Sequence, residues 1–198
     1  LALDVMLPAA RVVDALKAFS AAFPTVSLHL HVEALGAVMQ LVLDRVAAVG
    51  IAGPLTTATD GIERIAVGSV HLVPVAAPDH PLARAGANPP GAGRDHVQLV
   101  LTDRSQLSRG QDFGVVGTRT WRLADLGAKH MLLREGIGWG NMPLPMVAAD
   151  LESGRLVRLD MPDSRGDAYR FDAIYRVDVP AGPAAAWLIA RFRQQAEH

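Results

Sequence analysis

The amino-acid sequence predicts an α/β protein built on an open sheet with parallel strands. Two observations predict it. The first fifty residues alternate strand and helix patterns in the order β-α-β-α-β, and parallel strands need helical crossovers of that kind. The stretch Val46 to Ala52 (VAAVGIA) is continuously apolar, as expected of a strand buried on both faces.

In chain order, Leu1 to Val5 is a short apolar strand, followed by Met6, Leu7 and Pro8. Proline suits the first turn of a helix, where its missing N–H is not needed. Val12, Leu16, Phe19 and Phe23 then recur at helical spacing, with Arg11, Asp14 and Lys17 off the stripe. Pro24 ends this helix, because the residue before a proline is driven out of the α region. From Val26 to Val32 the pattern alternates, placing Val26, Leu28, Leu30 and Val32 on one strand face and His29 and His31 on the other. Leu35, Val38, Met39, Val42 and Val46 return to helical spacing before the apolar strand that Gly53-Pro54 closes.

Ile62 to Ala77 is longer than one ordinary strand and predicts two in succession, with a passage between two lobes near Leu72-Val73-Pro74. Residues 84–94 are rich in Gly, Pro and Ala and predict a loop. Val97 to Leu101 is a strand with Thr102-Asp103-Arg104-Ser105 at its C-terminal end, and the segment from Leu107 to Val116 is weakly patterned. Leu123 to Glu135 predicts a helix with Leu126, His130 and Leu133 on one face and Gly136 as its cap. Ile137 to Asn141 is a short strand or turn, Met142 to Ser153 a helix closed by Gly154, and Val157 and Leu159 lie in a strand. Phe171 to Val179 is a long strand that returns between the lobes, and Pro183 to Gln195 is a final helix with a basic end.

Composition narrows the function. The 198 residues are 50% hydrophobic and 20% charged, enough apolar material for a core. Lys+Arg total 19 against Asp+Glu 20, so the chain has no excess positive charge for neutralising phosphates and is a poor candidate for binding nucleic acid by itself. Without cysteine, disulfides, thiolate metal sites and a cysteine nucleophile are excluded. No apolar run approaches the ~20 residues of a membrane span. The start LALDVMLP has no basic segment before an apolar one, so it reads as the first strand of a domain cut from something longer rather than as a signal peptide.

Catalytic motifs are missing: there is no G-x-S-x-G elbow, no HEXXH and no Walker loop. Gly136-Ile137-Gly138-Trp139-Gly140 lacks dinucleotide spacing and follows a helix, so a tight turn is its simpler reading. His29 and His31 share a strand face, which suits either a transition metal or a solvated or interface-facing edge. His71, His80, His96 and His130 are isolated in sequence. Asp103-Arg104-Ser105 points in alternating directions on a strand and makes no compact triad without a turn. What remains is binding, because ligands of open α/β sheets sit beyond the carboxyl ends of the strands. Those ends are Asp4-Val5-Met6, Gly53-Pro54 and Thr102 to Ser105, with the N–H groups of the Pro8 helix alongside. Asp4 either faces a ligand or bonds to helix or loop N–H groups.

A set of segments resembles the effector-binding domain of LysR-type transcriptional regulators. They are the helix end Leu16-Lys17-Ala18-Phe19-Ser20-Ala21-Ala22-Phe23-Pro24, the alternating strand Val26 to Val32, Glu33-Ala34-Leu35-Gly36, and the run Leu43 to Ile51. Leu72 to Leu82, Glu135 to Pro143 and Leu151 to Val157 complete the set, which spans almost the whole chain. The resemblance implies a two-lobed fold like type 2 periplasmic binding proteins, two Rossmann-like subdomains joined by two crossover strands. Residues 1–72 plus 174–198 would form subdomain I and 73–173 subdomain II, with the effector cleft between them.

By position, the resemblance assigns effector contacts to Asp4, Met6, Leu7, Gly53 and Pro54, to Thr102, Asp103 and Ser105, and to Gly138, Trp139, Asn141 and Met142. Ser or Thr often follows the first strand in this family. Asp4-Val5-Met6-Leu7 stands there instead, which speaks against a carboxylate effector. The resemblance further implies a non-enzymatic, cytoplasmic domain without cofactor or metal, assembling with itself as dimer or tetramer through its first helix and adjoining strand. It would reach DNA only through a winged helix–turn–helix domain outside this chain, and ligand binding would alter the DNA-bound assembly and transcription. A solute-binding protein of a transporter is the alternative with the same fold, and a small hydrolase or transferase using Asp103 and Ser105 a third.

Overall fold

In the computed structural model, residues 1–54, 60–102, 105, 107 and 114–196 are described. The chain divides into two units. Unit 1 takes Leu1–Val70, Asp103–Arg109 and Tyr169–His198, and unit 2 takes His71–Thr102 and Gly110–Ala168.

The alternation predicted from the start of the sequence builds unit 1. β1 (Ala2–Asp4), α1 (Ala9–Ala22), β2 (His31–Glu33), α2 (Gly36–Leu43) and β3 (Gly50–Ala52) follow one another, and β1 pairs in parallel with both β2 and β3. Leu3, the middle residue of β1, lies opposite Val32 on one side and Ile51 on the other. Ala2, Ala52, Val38, Met39 and Val42 are buried together, so α2 covers the sheet with its apolar stripe. α1 buries Ala15 and Phe19 rather than the whole predicted stripe; Val12, Leu16 and Phe23 are half-buried. Phe19 stacks on Phe23 at 5.1 Å, and Trp187 meets both rings edge-on at 6.0 and 5.8 Å. Arg11, off the apolar stripe, still turns inward and donates to the carbonyls of Val67 (2.7 Å) and Phe192 (3.1 Å).

The predicted strand Val26 to Val32 is corrected. Only His31–Glu33 is strand, and Val26, Leu30 and Val32 are exposed. Alternation in sequence shows that a face is apolar; it does not supply the layer that would cover it. The apolar run before β3 is also shorter as a strand than predicted, because Arg45 adopts φ 63° in the turn after α2 and leaves Val46 exposed.

β4 (Ile62–Ala76) is one continuous strand, not two, and passes from unit 1 into unit 2 at Val70–His71. In unit 2 its second part pairs antiparallel with β7 and β8. The elements there are α3 (Pro81–Arg84), β5 (Gln98–Leu101), β6 (Thr120–Leu123), α4 (Leu126–Arg134), β7 (Gly140–Pro143), α5 (Leu144–Glu152) and β8 (Val157–Arg158). β5 and β6 pair in parallel. Trp139, Leu82, Leu159, Met161 and Ala76 pack into a buried cluster.

Two helical predictions move. Residues 120–123 form a strand, and α4 begins only after Asp125, whose side chain accepts from the Ala128 N–H as N-cap. The buried residues of α4 are Leu126, Lys129 and Leu133, so Lys129 replaces the predicted His130 on the inner stripe. Met142 and Pro143 belong to β7, and α5 starts at Leu144.

The chain returns to unit 1 at Tyr169, within β9 (Ala168–Arg176), which begins three residues before the predicted Phe171. β9 pairs antiparallel with β3, giving unit 1 the order β2-β1-β3-β9. α6 (Pro183–Gln194) follows the predicted span closely and buries Leu188, Ile189 and Phe192.

Candidate functional site

The carboxyl ends of β1 and β3 lie side by side in unit 1, as the parallel order requires. Asp4, the last residue of β1, is buried, and its carboxylate gathers donors from four places. Oδ1 accepts the Met6 N–H at 2.8 Å, from the turn that leads to α1. Oδ2 accepts the Leu35 N–H at 3.2 Å and the Tyr169 hydroxyl at 2.9 Å. The Gly53 N–H, just beyond β3, donates to the same carboxylate. Burial pushes the Asp4 carboxyl up to about 6, against the opposing pull of the bonds from Met6, Tyr169, Leu35 and Gly53. Of the two roles open to Asp4, bonding to loop N–H groups is the one the geometry displays; α1 is capped by Pro8 without a side-chain bond.

Gly53 is required by close approach. A Cβ there would stand 2.0 Å from the Tyr169 hydroxyl oxygen and 2.7 Å from Asp4 Oδ2. Met6 and Leu7 are buried beside this knot, while Pro54 is exposed. Leu35 holds φ 49°, a left-handed conformation uncommon for a leucine, with its N–H directed at the carboxylate.

In unit 2, Thr102 follows β5, is half-buried, and donates its N–H to Leu123 O at 2.8 Å. Ser105, assigned to unit 1, is also half-buried; Asp103 and Arg104 lie outside the described residues. Gly138 holds φ 68°, and a Cβ there would meet Val97 O at 2.4 Å, so the glycine turn predicted from sequence is a steric necessity. Trp139 is fully buried, with Nε1 donating to Gly93 O at 3.2 Å, and Met142 is fully buried in β7. Asn141, between them, is half-buried: its Oδ1 accepts from Ser164 at 3.1 Å, and its backbone oxygen accepts from Lys129 Nζ at 2.7 Å.

Sequence reasoning passed over three buried polar groups near these positions. Lys129 is 3% exposed, and burial lowers its ammonium to about 8. Its sign was available in the i, i+3, i+7 spacing of Leu126, Lys129 and Leu133. Gln98 is buried in β5 and holds the following loop: Oε1 accepts the N–H groups of Val116 (2.9 Å) and Gly117 (2.8 Å), and Nε2 donates to Gly114 O (2.7 Å). Tyr169 reaches Asp4 across 165 positions of sequence, a separation that no local pattern encodes.

The histidines are less isolated in space than in sequence. His80 accepts the Leu82 N–H through Nδ1, its ring lies 5.2 Å from that of His96, and burial foremost lowers its pKa. His130 meets Asp150 at 2.6 Å, and Arg134 and Arg155 approach the other oxygen of that carboxylate at 3.5 and 3.3 Å. Among the described residues no group of three or more His, Cys, Asp or Glu is placed to hold a metal ion, and no helix is long and apolar enough to cross a membrane.

The chain matches the family described as the LysR substrate binding domain over residues 1–197. Comparison with curated proteins gave no match. Among solved structures, the regulatory domain of MetR, a LysR family regulator from N. meningitidis, is 17% identical with a TM-score of 0.74, covering 99% of this chain and 92% of that one. The Synechocystis CcmR regulatory domain, solved in complex with 2-PG, is 17% identical with a TM-score of 0.78, covering 100% and 97%. The effector binding domain of QuiR, solved in complex with shikimate, is 14% identical with a TM-score of 0.76, covering 99% and 95%. At these identities the likeness to the solved structures is one of fold, the type 2 periplasmic-binding-protein fold of LysR effector domains. The family match, by contrast, spans almost every residue, and the chain belongs to the LysR substrate-binding domain family.

Proposed function

We propose that this chain senses a small-molecule effector for a LysR-type regulator, working in the cytoplasm and binding its ligand without turning it over. The family match over residues 1–197 carries this reading. The strand ends of unit 1 supply one set of effector-facing positions at Met6, Leu7, Gly53 and Pro54, with Asp4 tying these ends together from within. Thr102, Asp103, Ser105, Gly138 and Asn141 supply others, with Trp139 and Met142 supporting them from the core. Effector binding shifts the population of assembly states and so the placement of DNA-binding domains carried outside this chain.

Self-assembly as a dimer or tetramer is part of the same proposal. It is supported by apolar side chains left exposed on α1 and on the segment entering and forming β2: Val13 at 50%, Val26 at 44%, Leu30 at 42% and Val32 at 54%. Scattered exposed apolar residues are ordinary, but several gathered on α1 and on the segment leading into the edge strand β2 are candidates for burial by another chain.

The test is a metabolite panel that includes shikimate and arginine, read by thermal unfolding and sedimentation velocity of this chain. The expected result is a compound that raises Tm by more than about 3 °C and shifts the sedimentation coefficient. A panel in which no compound moves either quantity would overturn the reading.

A further inference from the structure

We propose that the Asp4 carboxylate is a built-in anion: it occupies the donor ring that the strand ends of unit 1 create, and it closes that ring to anionic ligands. The ligand-class part of the proposal rests on the effector reading above; the occupied ring does not.

The ring has the composition of an anion site. Met6, Leu35 and Gly53 each present a backbone N–H, and Tyr169 adds a hydroxyl, all converging on one buried carboxylate. N–H groups gathered beyond the carboxyl ends of parallel strands are where open α/β sheets receive polar ligands, and convergent backbone N–H groups form anion-binding concavities. Two features are shaped around the occupant. Gly53 leaves no room for a Cβ against Asp4 Oδ2 and the Tyr169 hydroxyl. Leu35 is held at φ 49°, in the left-handed region, while its N–H meets Asp4 Oδ2.

The occupant takes up the ring. Asp4 receives four donors, so the N–H groups of Met6, Leu35 and Gly53 and the Tyr169 hydroxyl are committed to its carboxylate and not to a second anion. Among the described ion pairs no Lys, Arg or His faces Asp4, and the donors that meet its negative charge there are backbone N–H groups and a hydroxyl. An incoming carboxylate or phosphate at these strand ends would find its donors taken and a like charge in place. The class of effector group admitted beside the ring is therefore uncharged or cationic.

Deleting the occupant should expose the ring. In Asp4→Gly the missing CH₂–COO⁻ leaves a space that formate fits, so thermal unfolding is measured in sodium formate and in sodium chloride at equal ionic strength. The expected result is that formate raises the Tm of Asp4→Gly by about 3–6 °C over chloride and moves the wild type by less than about 1 °C. An equal rise in the wild type, meaning an open ring, overturns the proposal, and so does an Asp4→Gly protein that responds no more to formate than to chloride.

Should Asp4→Gly fail to fold, the Asp4 carboxyl is titrated by carbon NMR in the wild type and in Tyr169→Phe. Loss of one donor is expected to raise its midpoint, and an unchanged midpoint overturns the ring. The two readings fail separately. If the metabolite panel yields a carboxylate ligand that formate displaces from the wild type, the ring is open and this inference falls while the effector reading stands.

Discussion

Asp4 in unit 1 and Lys129 in unit 2 are both charged side chains taken out of water, and they are satisfied very differently. Four donors converge on Asp4, whereas Lys129, with three N–H donors to place, has one hydrogen bond among the described residues, to Asn141 O at 2.7 Å. Burial disfavours the charged form of both, raising the carboxyl to about 6 and lowering the ammonium to about 8. A full ring of donors makes a structural knot, whereas among the described residues the Lys129 ammonium meets one acceptor. The comparison separates burial that ties strand ends together from burial that holds a single backbone oxygen among the described residues.

The largest expected effect strikes the Asp4 side. Gly53→Ala places a methyl 2.0 Å from the Tyr169 hydroxyl oxygen and should remove about 3–4 kcal/mol of stability in urea unfolding. A loss under about 1 kcal/mol would mean that the knot yields easily and that the contrast with Lys129 is overstated.

Next come the pH slopes, which should have opposite signs. The folded pKa of Asp4 is raised, so its contribution is fully present below about pH 4 and is lost as pH climbs through about 6. The folded pKa of Lys129 is lowered, so above about pH 8 the unfolded state holds more protons and stability rises toward the unfolded value of 10.5. Relative to Lys129→Met, the wild type should therefore gain on the order of 2–3 kcal/mol between pH 8 and pH 10, read from urea midpoints. At pH 7 Lys129→Met should be neutral or stabilising, because it removes a buried charge that has one acceptor and no ion pair among the described residues and so relieves its desolvation. Strong destabilisation at pH 7 would reveal a charged partner of Lys129.

Gln98→Leu tests a neutral counterpart within unit 2. Losing its bonds to Gly114, Val116 and Gly117 should lower stability by about 2 kcal/mol and speed amide exchange at Val116 and Gly117. The smallest effect is expected from Trp139→Phe, which gives up the bond to Gly93 O and some ring volume, about 1–2 kcal/mol by the same unfolding measurement. An effect larger than that of Gly53→Ala would shift the tightest packing from the Asp4 knot to the Trp139 cluster.

Part of the Asp4 and Gly138 geometry was legible before the fold. Parallel order follows from β-α-β-α-β, and with it the adjacency of Asp4 and Gly53 at neighbouring strand ends. The need for glycine at 138 follows from a Gly-rich turn after a helix. Tyr169 and Leu35 were not legible, because one joins Asp4 from a strand 165 positions away and the other through an unusual backbone angle. The β5–β6 pairing was missed for a related reason: Thr120–Leu123 is half-buried to exposed, so it lacks the apolar pattern by which a buried strand is recognised.

Periodicity and composition by themselves determined the class of fold, most helix and strand positions and the absence of thiol chemistry, and the order of quoted segments carried the family resemblance, because these depend on neighbours along the chain. Only the tertiary structure decided which charged groups are buried, which donors meet on Asp4, that Lys129 rather than His130 faces inward, and that Val26, Leu30 and Val32 are left uncovered within this chain. Those outcomes depend on which distant segments arrive to cover or bond a side chain, and a local pattern carries no record of its eventual neighbours.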